Sequence, residues 1–381
     1  MTKTKIAIAC QGGGSQTAFT AGALKALCDG RLRDEFEVVS VSGTSVGALC
    51  ATLVWYSFRR GDQPIWQRLI DFWRDNTTQN PSERMINDAI IGWMRMVNRG
   101  MLPMFQTSPS SPLVQAISQF VTAGQRREFG DFQALLRRHI DFDELAAWGP
   151  QPTAPVLVIG AASVLSGQLR KFNSTKEAIR IEHILASAAV PNLFPAVQLD
   201  GDALWDGLFS DNPPIDDLVR KRIIGVGNVP QEVWVIKINP TTRASAPVEP
   251  NEIADRRNQL EGNVSVFQNL KWIEALNDLI LQGAFQPDFL ADFDVPQPVR
   301  IPKAFAAEPD KPYHIPWIEM SDEMQRSLDY EGKLDRSPAN VESLIAHGEE
   351  RGWAFLAERA RRARAAGTGL ADQDAGPRRR K

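Results

Sequence analysis

The sequence is poor in cysteine, in net charge and in long apolar runs. Its 381 residues hold three cysteines, Cys10, Cys28 and Cys50. Three are too few for a disulfide framework, and their spacing matches no zinc site. Each lies in an apolar stretch, so they read as buried free thiols in a reducing compartment. The chain has 43 Lys and Arg against 46 Asp and Glu, a net charge of -3. No global basic field exists to draw it to nucleic acid. The first apolar run, Ile6 to Cys10, is too short for a signal-peptide core. Val38 to Phe58 lacks charge over a length that could span a bilayer. Its middle carries Ser40, Ser42, Gly43, Thr44, Ser45 and Gly47, which fits a strand-to-helix turn better than a membrane span. No internal repeat is present.

What is there is an ordinary globular composition, 43% hydrophobic and 23% charged. It excludes a disordered chain, a fibrous repeat and a polytopic membrane protein. Short apolar runs predict buried parallel strands at Thr4–Cys10, Val38–Ser42, Pro155–Ala161 and Val233–Ile238. Helical spacing predicts helices over Gln16–Cys28 and Val46–Phe58. Alternating strands and helices imply an α/β fold with a mostly parallel sheet covered on both faces. An insert of about 60–150 holds Trp66, Trp73 and Trp93 with Met85, Met94, Met96, Met101 and Met104. Methionine fills irregular core gaps more often than it contacts ligands, so these residues are expected to fill a helical subdomain core, with a lid or lipid-facing lip as the alternative. A long helix is expected over Asp255–Gly283, its apolar stripe made by Leu260, Val264, Phe267, Leu270, Ile273, Leu276 and Ile280. A last helix is expected over Ser337–Ala366, then a disordered tail, 367–381, whose Arg378, Arg379, Arg380 and Lys381 read as solvated with anionic membrane as the alternative.

The sharpest signal is Gly43-Thr44-Ser45-Val46-Gly47, between a predicted strand and a predicted helix. That context is what G-x-S-x-G requires. A sharp turn exposes the Ser45 hydroxyl, Gly43 and Gly47 let the backbone pass closely, and the helix N-terminus favours developing negative charge. Ser42 is a neighbour but lacks glycine on both sides. The loop Gly12-Gly13-Gly14 follows the first strand. As a dinucleotide loop it would need glycine at position 17, which is Thr17, and no Walker lysine follows. As an oxyanion hole, its N–H groups would emerge beside Ser45 at the same strand ends.

A serine needs a base. Of the four histidines, His139 and His347 lie in charged helical stretches and read as surface positions, and His183 lies in a helix before Ala186. His314 falls late in the chain, where the histidine of a serine/acid/histidine order would stand. Asp206, in Trp205-Asp206-Gly207, is the other candidate, a carboxylate made competent by water exclusion. The residues alone leave both open.

The ordered landmarks Gly12-Gly13-Gly14, Gly43-Thr44-Ser45-Val46-Gly47 and Asp206-Gly207 resemble those of patatin-like phospholipases. So do Ala186-Ser187-Ala188-Ala189-Val190-Pro191-Asn192-Leu193-Phe194-Pro195 and Asp211-Asn212-Pro213-Pro214. The resemblance covers roughly residues 4 to 215. It implies a three-layer α/β/α sandwich over 4–240, followed by a mainly helical extension over 241–366. It implies a Ser45–Asp206 dyad without histidine, an oxyanion hole from Gly12, Gly13 and Gly14, and no metal or cofactor. The implied activity is hydrolysis of lipid acyl esters. Phospholipid, acylglycerol and storage polyester are the substrates in view. A cytoplasmic enzyme is expected, with peripheral contact at the inner membrane surface and no nucleic-acid partner. Three positions, in two motifs, depart from the pattern. Gln16 and Thr17 stand where the family has a cation and glycine, and Leu208 stands where glycine or alanine is usual. A lost cation favours neutral esters over phospholipid. It also motivates a rival, a catalytically weak binding or regulatory module on the same fold.

Overall fold

Strand β1 (Thr4–Cys10) is buried from Ile6 onward because its residues are apolar on both faces. In this computed structural model, which describes residues 3–29, 35–103, 108–122, 124–191, 193–302 and 314–367, β1 lies inside an eight-stranded sheet. The other strands are β2 (Phe36–Thr44), β3 (Val156–Ser163), β4 (Leu169–Asn173), β5 (Val197–Leu199), β6 (Asp202–Asp206), β7 (Glu232–Lys237) and β10 (Ile318–Glu319). The order is β10-β7-β1-β2-β3-β6-β5, with β4 also on β3. The pairs among β10, β7, β1, β2 and β3 are parallel, and those of β3 with β4 and β6, and of β6 with β5, are antiparallel. A separate parallel pair joins β8 (Ile301–Pro302) to β9 (His314–Ile315).

Side chains of β1 alternate between two apolar cores, as a period of two demands. Ile6, Ile8 and Cys10 pack with helices α1 (Ala18–Leu27) and α2 (Val46–Arg60), and with α6 (Pro338–Gly367), which follows at the end of the described chain. Ala7 and Ala9 pack on the other face with Val266, Leu270, Ile273 and Leu276 of α5 (Pro250–Leu281). The sheet is thus covered on both sides. Cys10, Cys28 and Cys50 are buried, and burial pushes the Cys50 thiol up to about 12. No described helix is long and apolar enough to cross a membrane; Val38 to Phe58 is β2 running into α2.

Three expectations need correction. The insert does not bury its methionines. In α3 (Pro81–Asn98) the buried residues are Glu83, Asn87 and Ile91, while Met85 is 68% exposed and Trp93 52%. Met96 and, just beyond the helix, Met101 are exposed as well, whereas Trp73 is fully buried. The inner face of α3 is polar because it has partners. Arg126 Nε donates to Glu83 Oε1 at 2.8 Å, and Asn87 Nδ2 to Asp335 Oδ1 at 3.0 Å. Met104 lies outside the described residues, as does the tail from 368.

The stripe of the long helix is the second correction. Leu260 and Val264 face solvent, and this half of α5 turns Asp255, Gln259, Asn263, Ser265 and Asn269 inward. Those side chains meet polar groups at the strand ends, not an apolar core. The histidines are the third. His139 is buried, with Nε2 3.0 Å from Asp75 Oδ2. His347 is largely enclosed and accepts from the Ser321 N–H at 3.0 Å.

Candidate active site

The parallel register aligns the ends of β1, β2 and β3, and β6 runs antiparallel beside β3. Cys10 is opposite Gly43, Thr44 opposite Gly160, and Ala161 opposite Asp206. The Ser45 turn and Asp206 therefore flank the same stretch of β3.

Ser45 has φ 55° and ψ -134°, a left-handed conformation that costs a non-glycine residue about 1–3 kcal/mol. Its surroundings enforce this. A Cβ added at Gly43 would lie 2.4 Å from the Gly47 carbonyl oxygen, and one at Gly47 would lie 2.3 Å from that of Cys10. The Ser45 N–H donates to Ser187 Oγ at 2.9 Å, and Ser187 Oγ donates to the Gly160 carbonyl at 2.6 Å. Ser187 ends α4 (Ile181–Ser187), so that helix ties the turn to β3. Ser42 is buried, its hydroxyl given to the Pro214 carbonyl at 2.6 Å.

Asp206 ends β6 and is 1% exposed. Its N–H donates to the Ala189 carbonyl at 3.0 Å, and Oδ1 accepts from the Leu208 N–H at 2.7 Å. Oδ2 has no hydrogen-bond partner at normal geometry among the described residues. Burial pushes this carboxyl up to about 7. The Leu208 N–H and then the adjoining Ser45 side chain pull it back toward the ionised form. Gly207 lets the chain pass Gly160, whose carbonyl oxygen would be 2.4 Å from an added Cβ.

The glycine loop lies against the serine. A Cβ at Gly12 would fall 2.7 Å from that of Ser45. The three amides are not equivalent. The Gly12 N–H donates to Asn212 Oδ1 at 2.7 Å. Those of Gly13 and Gly14 have no acceptor among the described residues, and both glycines are partly exposed. Gly14 adopts φ 58° with Lys333 packed on it. The described histidine side chains are engaged elsewhere. His183 stacks on Phe172 with centroids 4.0 Å apart, and burial pushes it down to about 3. His314 sits in β9, and its side chain lies outside the described residues.

Sequence reasoning missed the polar shell. Gln11 is fully buried: its Oε1 accepts from the N–H groups of Ile238 and Asn239, both at 2.8 Å. Its Nε2 donates to the Gly262 carbonyl at 2.8 Å and Asn263 Oδ1 at 3.0 Å. A glutamine ending an apolar strand was the available signal. Asn263, hidden among α5's alternating residues, gave none. Asp211, Asp216 and Asp217 cluster nearby, but Lys171 Nζ occupies their centre, 2.7 Å from Asp211 Oδ2 and 3.4 Å from Asp216 Oδ1. Burial opposes that lysine's charge, and the three carboxylates outweigh it.

A family model described as patatin-like phospholipase matches residues 8–219. The chain belongs to the patatin-like phospholipase family. At family level the activity is hydrolysis of lipid acyl esters. No curated protein matches the chain. Among solved structures it is similar to VipD from Legionella pneumophila at 12% identity, covering 94% of this chain and 67% of that one, with a TM-score of 0.37. It is also similar to a chain in the complex of SpcU with ExoU from the type III secretion system of Pseudomonas aeruginosa. That match has 20% identity, covers 49% of this chain and 37% of that one, and has a TM-score of 0.20. In this patatin-like chain the matched region ends at residue 219, so α5 and its inward amides lie beyond it.

Proposed function

We propose that the protein is a serine acyl-ester hydrolase acting through Ser45 and Asp206. The observation that carries this reading is a buried carboxylate beside a strained serine across one strand. Asp206 accepts the Ser45 proton as Oγ attacks the ester carbonyl. The oxyanion that forms receives hydrogen bonds from Gly13 and Gly14, while Gly12 serves close approach with its N–H on Asn212. The N-terminus of α2 adds positive potential. Collapse of the intermediate expels the alcohol, which takes the proton from Asp206 and leaves an acyl-serine. Asp206 then deprotonates water, whose oxygen attacks the acyl carbon. The second collapse releases the carboxylic acid and returns the proton to Ser45. A base with pKa near 7 suits both steps. Gln16 places no cation on the loop, which favours neutral acyl esters over an anionic headgroup.

The exposed Met85, Trp93 and Met96 of α3 support peripheral contact with a lipid surface. A catalytically weak binding module remains the rival from another class. A fluorophosphonate probe decides between them. We expect wild type to be labelled at Ser45, and Ser45→Ala to lose labelling and about 10³-fold or more of p-nitrophenyl ester turnover. Equal rates for the two proteins would favour the binding module, and a comparable loss in His314→Ala would restore a triad.

A further inference from the structure

The run from Cys10 to Leu24 contains no charged side chain, so the glycine loop brings no cation of its own. A cation reaches it from the C-terminal segment. Lys333 packs its backbone on the loop: a Cβ at Gly14 would lie 2.3 Å from the Lys333 carbonyl oxygen and 3.0 Å from its Cβ. Its ammonium group is enclosed, donating to Asn239 Oδ1 at 2.9 Å and also to Asn258 Oδ1.

Asn239 is the link to the loop. Its N–H and that of Ile238 hold Gln11 Oε1, and Gln11 is the residue before Gly12. Asn263 Nδ2 closes the cage by donating to the Pro240 carbonyl at 3.0 Å. Ile238 also touches the loop directly, with Cγ2 2.5 Å from where a Cβ of Gly13 would be. Lys333 thus contacts the loop twice, by its main chain at Gly14 and through Asn239 at Gln11.

We propose that Lys333 is a positioning residue: its ammonium group, fixed on Asn239 and Asn258, locks the orientation of the glycine loop so that the Gly13 and Gly14 amides point at the oxyanion. The inference rests on the Ser45–Asp206 reading. The charged group of α5 facing Lys333 is Asp255, itself held by Arg243 Nη2 at 2.9 Å. From its own turn come the Tyr330 ring, 6.0 Å from Nζ, and the neighbouring Glu331, which accepts from Asn98. On the β7 side, Lys237 is paired with Glu319 at 2.8 Å, and Arg256 Nη2 donates to the Thr241 carbonyl. Burial pushes the Lys333 ammonium down to about 8, with Asp255 opposing. The lock should therefore loosen in mild alkali.

The test compares wild type with Lys333→Met, Lys333→Arg and Asn258→Ala in the full chain. The readouts are turnover of a soluble ester and the affinities of a trifluoromethyl ketone and a non-hydrolysable ether of the same acyl chain. The ketone forms a tetrahedral adduct that uses the oxyanion donors; the ether does not. Lys333→Met should lower kcat about ten- to a hundredfold, the scale of a 1 Å misplacement, with KM changed less than about threefold. Ketone affinity should fall in parallel, with ether affinity retained. Wild-type kcat should decline above pH about 8 as the ammonium loses its proton. Lys333→Arg should recover most of the rate and remove that decline. Asn258→Ala should move the decline to lower pH. The proposal is overturned if Lys333→Met keeps kcat and ketone affinity within about twofold, or loses ketone and ether binding alike. If Lys333→Met does not fold, an unmoved decline in Asn258→Ala overturns it. A wild type that the fluorophosphonate leaves unlabelled at Ser45 sinks the parent reading; a labelled wild type with indifferent Lys333 variants sinks this one alone.

Discussion

Helices α2 and α5 both approach the candidate site, and they are built on opposite plans. Helix α2 starts at Ser45 and buries Ala48, Leu49, Cys50, Ala51, Leu53 and Val54. It offers the site little but its N-terminal backbone. Helix α5, in the half near the site, buries amides and hydroxyls and turns Leu260 and Val264 to water. Its side chains do the orienting: Asn263 holds Gln11, and Ser265 Oγ accepts from the Asn212 N–H at 2.8 Å. Apolar packing is non-directional and fixes where an element lies. Buried amides demand partners at set angles and fix how a loop is aimed. One wall of the site is placed by volume, the other by hydrogen-bond geometry.

The harshest way to break this comparison is steric. Gly47→Ala puts a methyl 2.3 Å from the Cys10 carbonyl oxygen and 2.7 Å from that of Gln11, both backbone atoms. We expect a loss of about 3 kcal/mol or more in urea unfolding and no measurable turnover. Tolerance of this change would mean the α2 wall is not set by volume.

Titration sharpens the contrast next. Asp206 must be ionised to act, so kcat/KM should rise about tenfold per pH unit below about 7 and level off before the fall above about 8 that Lys333 sets. Stability runs the other way. The folded carboxyl titrates near 7 against an ordinary value of 3.8, so the folded state holds its proton where the unfolded state has lost it. Its contribution is fully present below about 3.8 and is lost as pH rises through 7. Asp206→Asn should therefore be inactive yet raise Tm at pH 8, with the gain fading toward pH 4. An equal Tm difference at both pH values would contradict the burial argument.

The gentlest comparison stays within α5. Asn263→Leu removes an acceptor from Gln11 and a donor from the Pro240 carbonyl, and should cost about 1–3 kcal/mol. Leu260→Ser on the outer face should change stability by less than about 0.5 kcal/mol. Paired denaturation curves check both. Equal costs would erase the distinction between the two faces.

Much of the apolar wall was legible in the sequence. Thr4–Cys10 and the turn around Ser45 announce themselves because a buried strand and a glycine-flanked elbow leave strong local patterns, and β1 and α2 fall where those patterns put them. The polar wall was not legible. Leu260 and Val264 look like core positions by spacing, and what overrules them is a set of partners outside the helix, from Arg243 with Asp255 at a separation of 12 to Gln11 with Asn263 at 252. The outward Met85 and Trp93 were misread for the same reason. Glu83 and Asn87 turn inward only because Arg126 and Asp335 meet them. His139 was misjudged because Asp75 supplies a partner that its own helix does not show. No local pattern carries such pairings.

Helix α1 follows the glycine loop, and it is closed by the final helix at near backbone contact. A Cβ at Gly22 would lie 1.9 Å from the Ile345 carbonyl oxygen, and one at Gly348 would lie 2.0 Å from that of Phe19. Lys25 meets Glu349 at 2.7 Å across 324 residues of chain. Translation is vectorial, so the ribosome emits one half of this clasp long before the other. Until α6 arrives, a nascent chain leaves the α1 face around Gly22 uncovered. The α1 face that supports the loop is thereby completed only after α6 has been made.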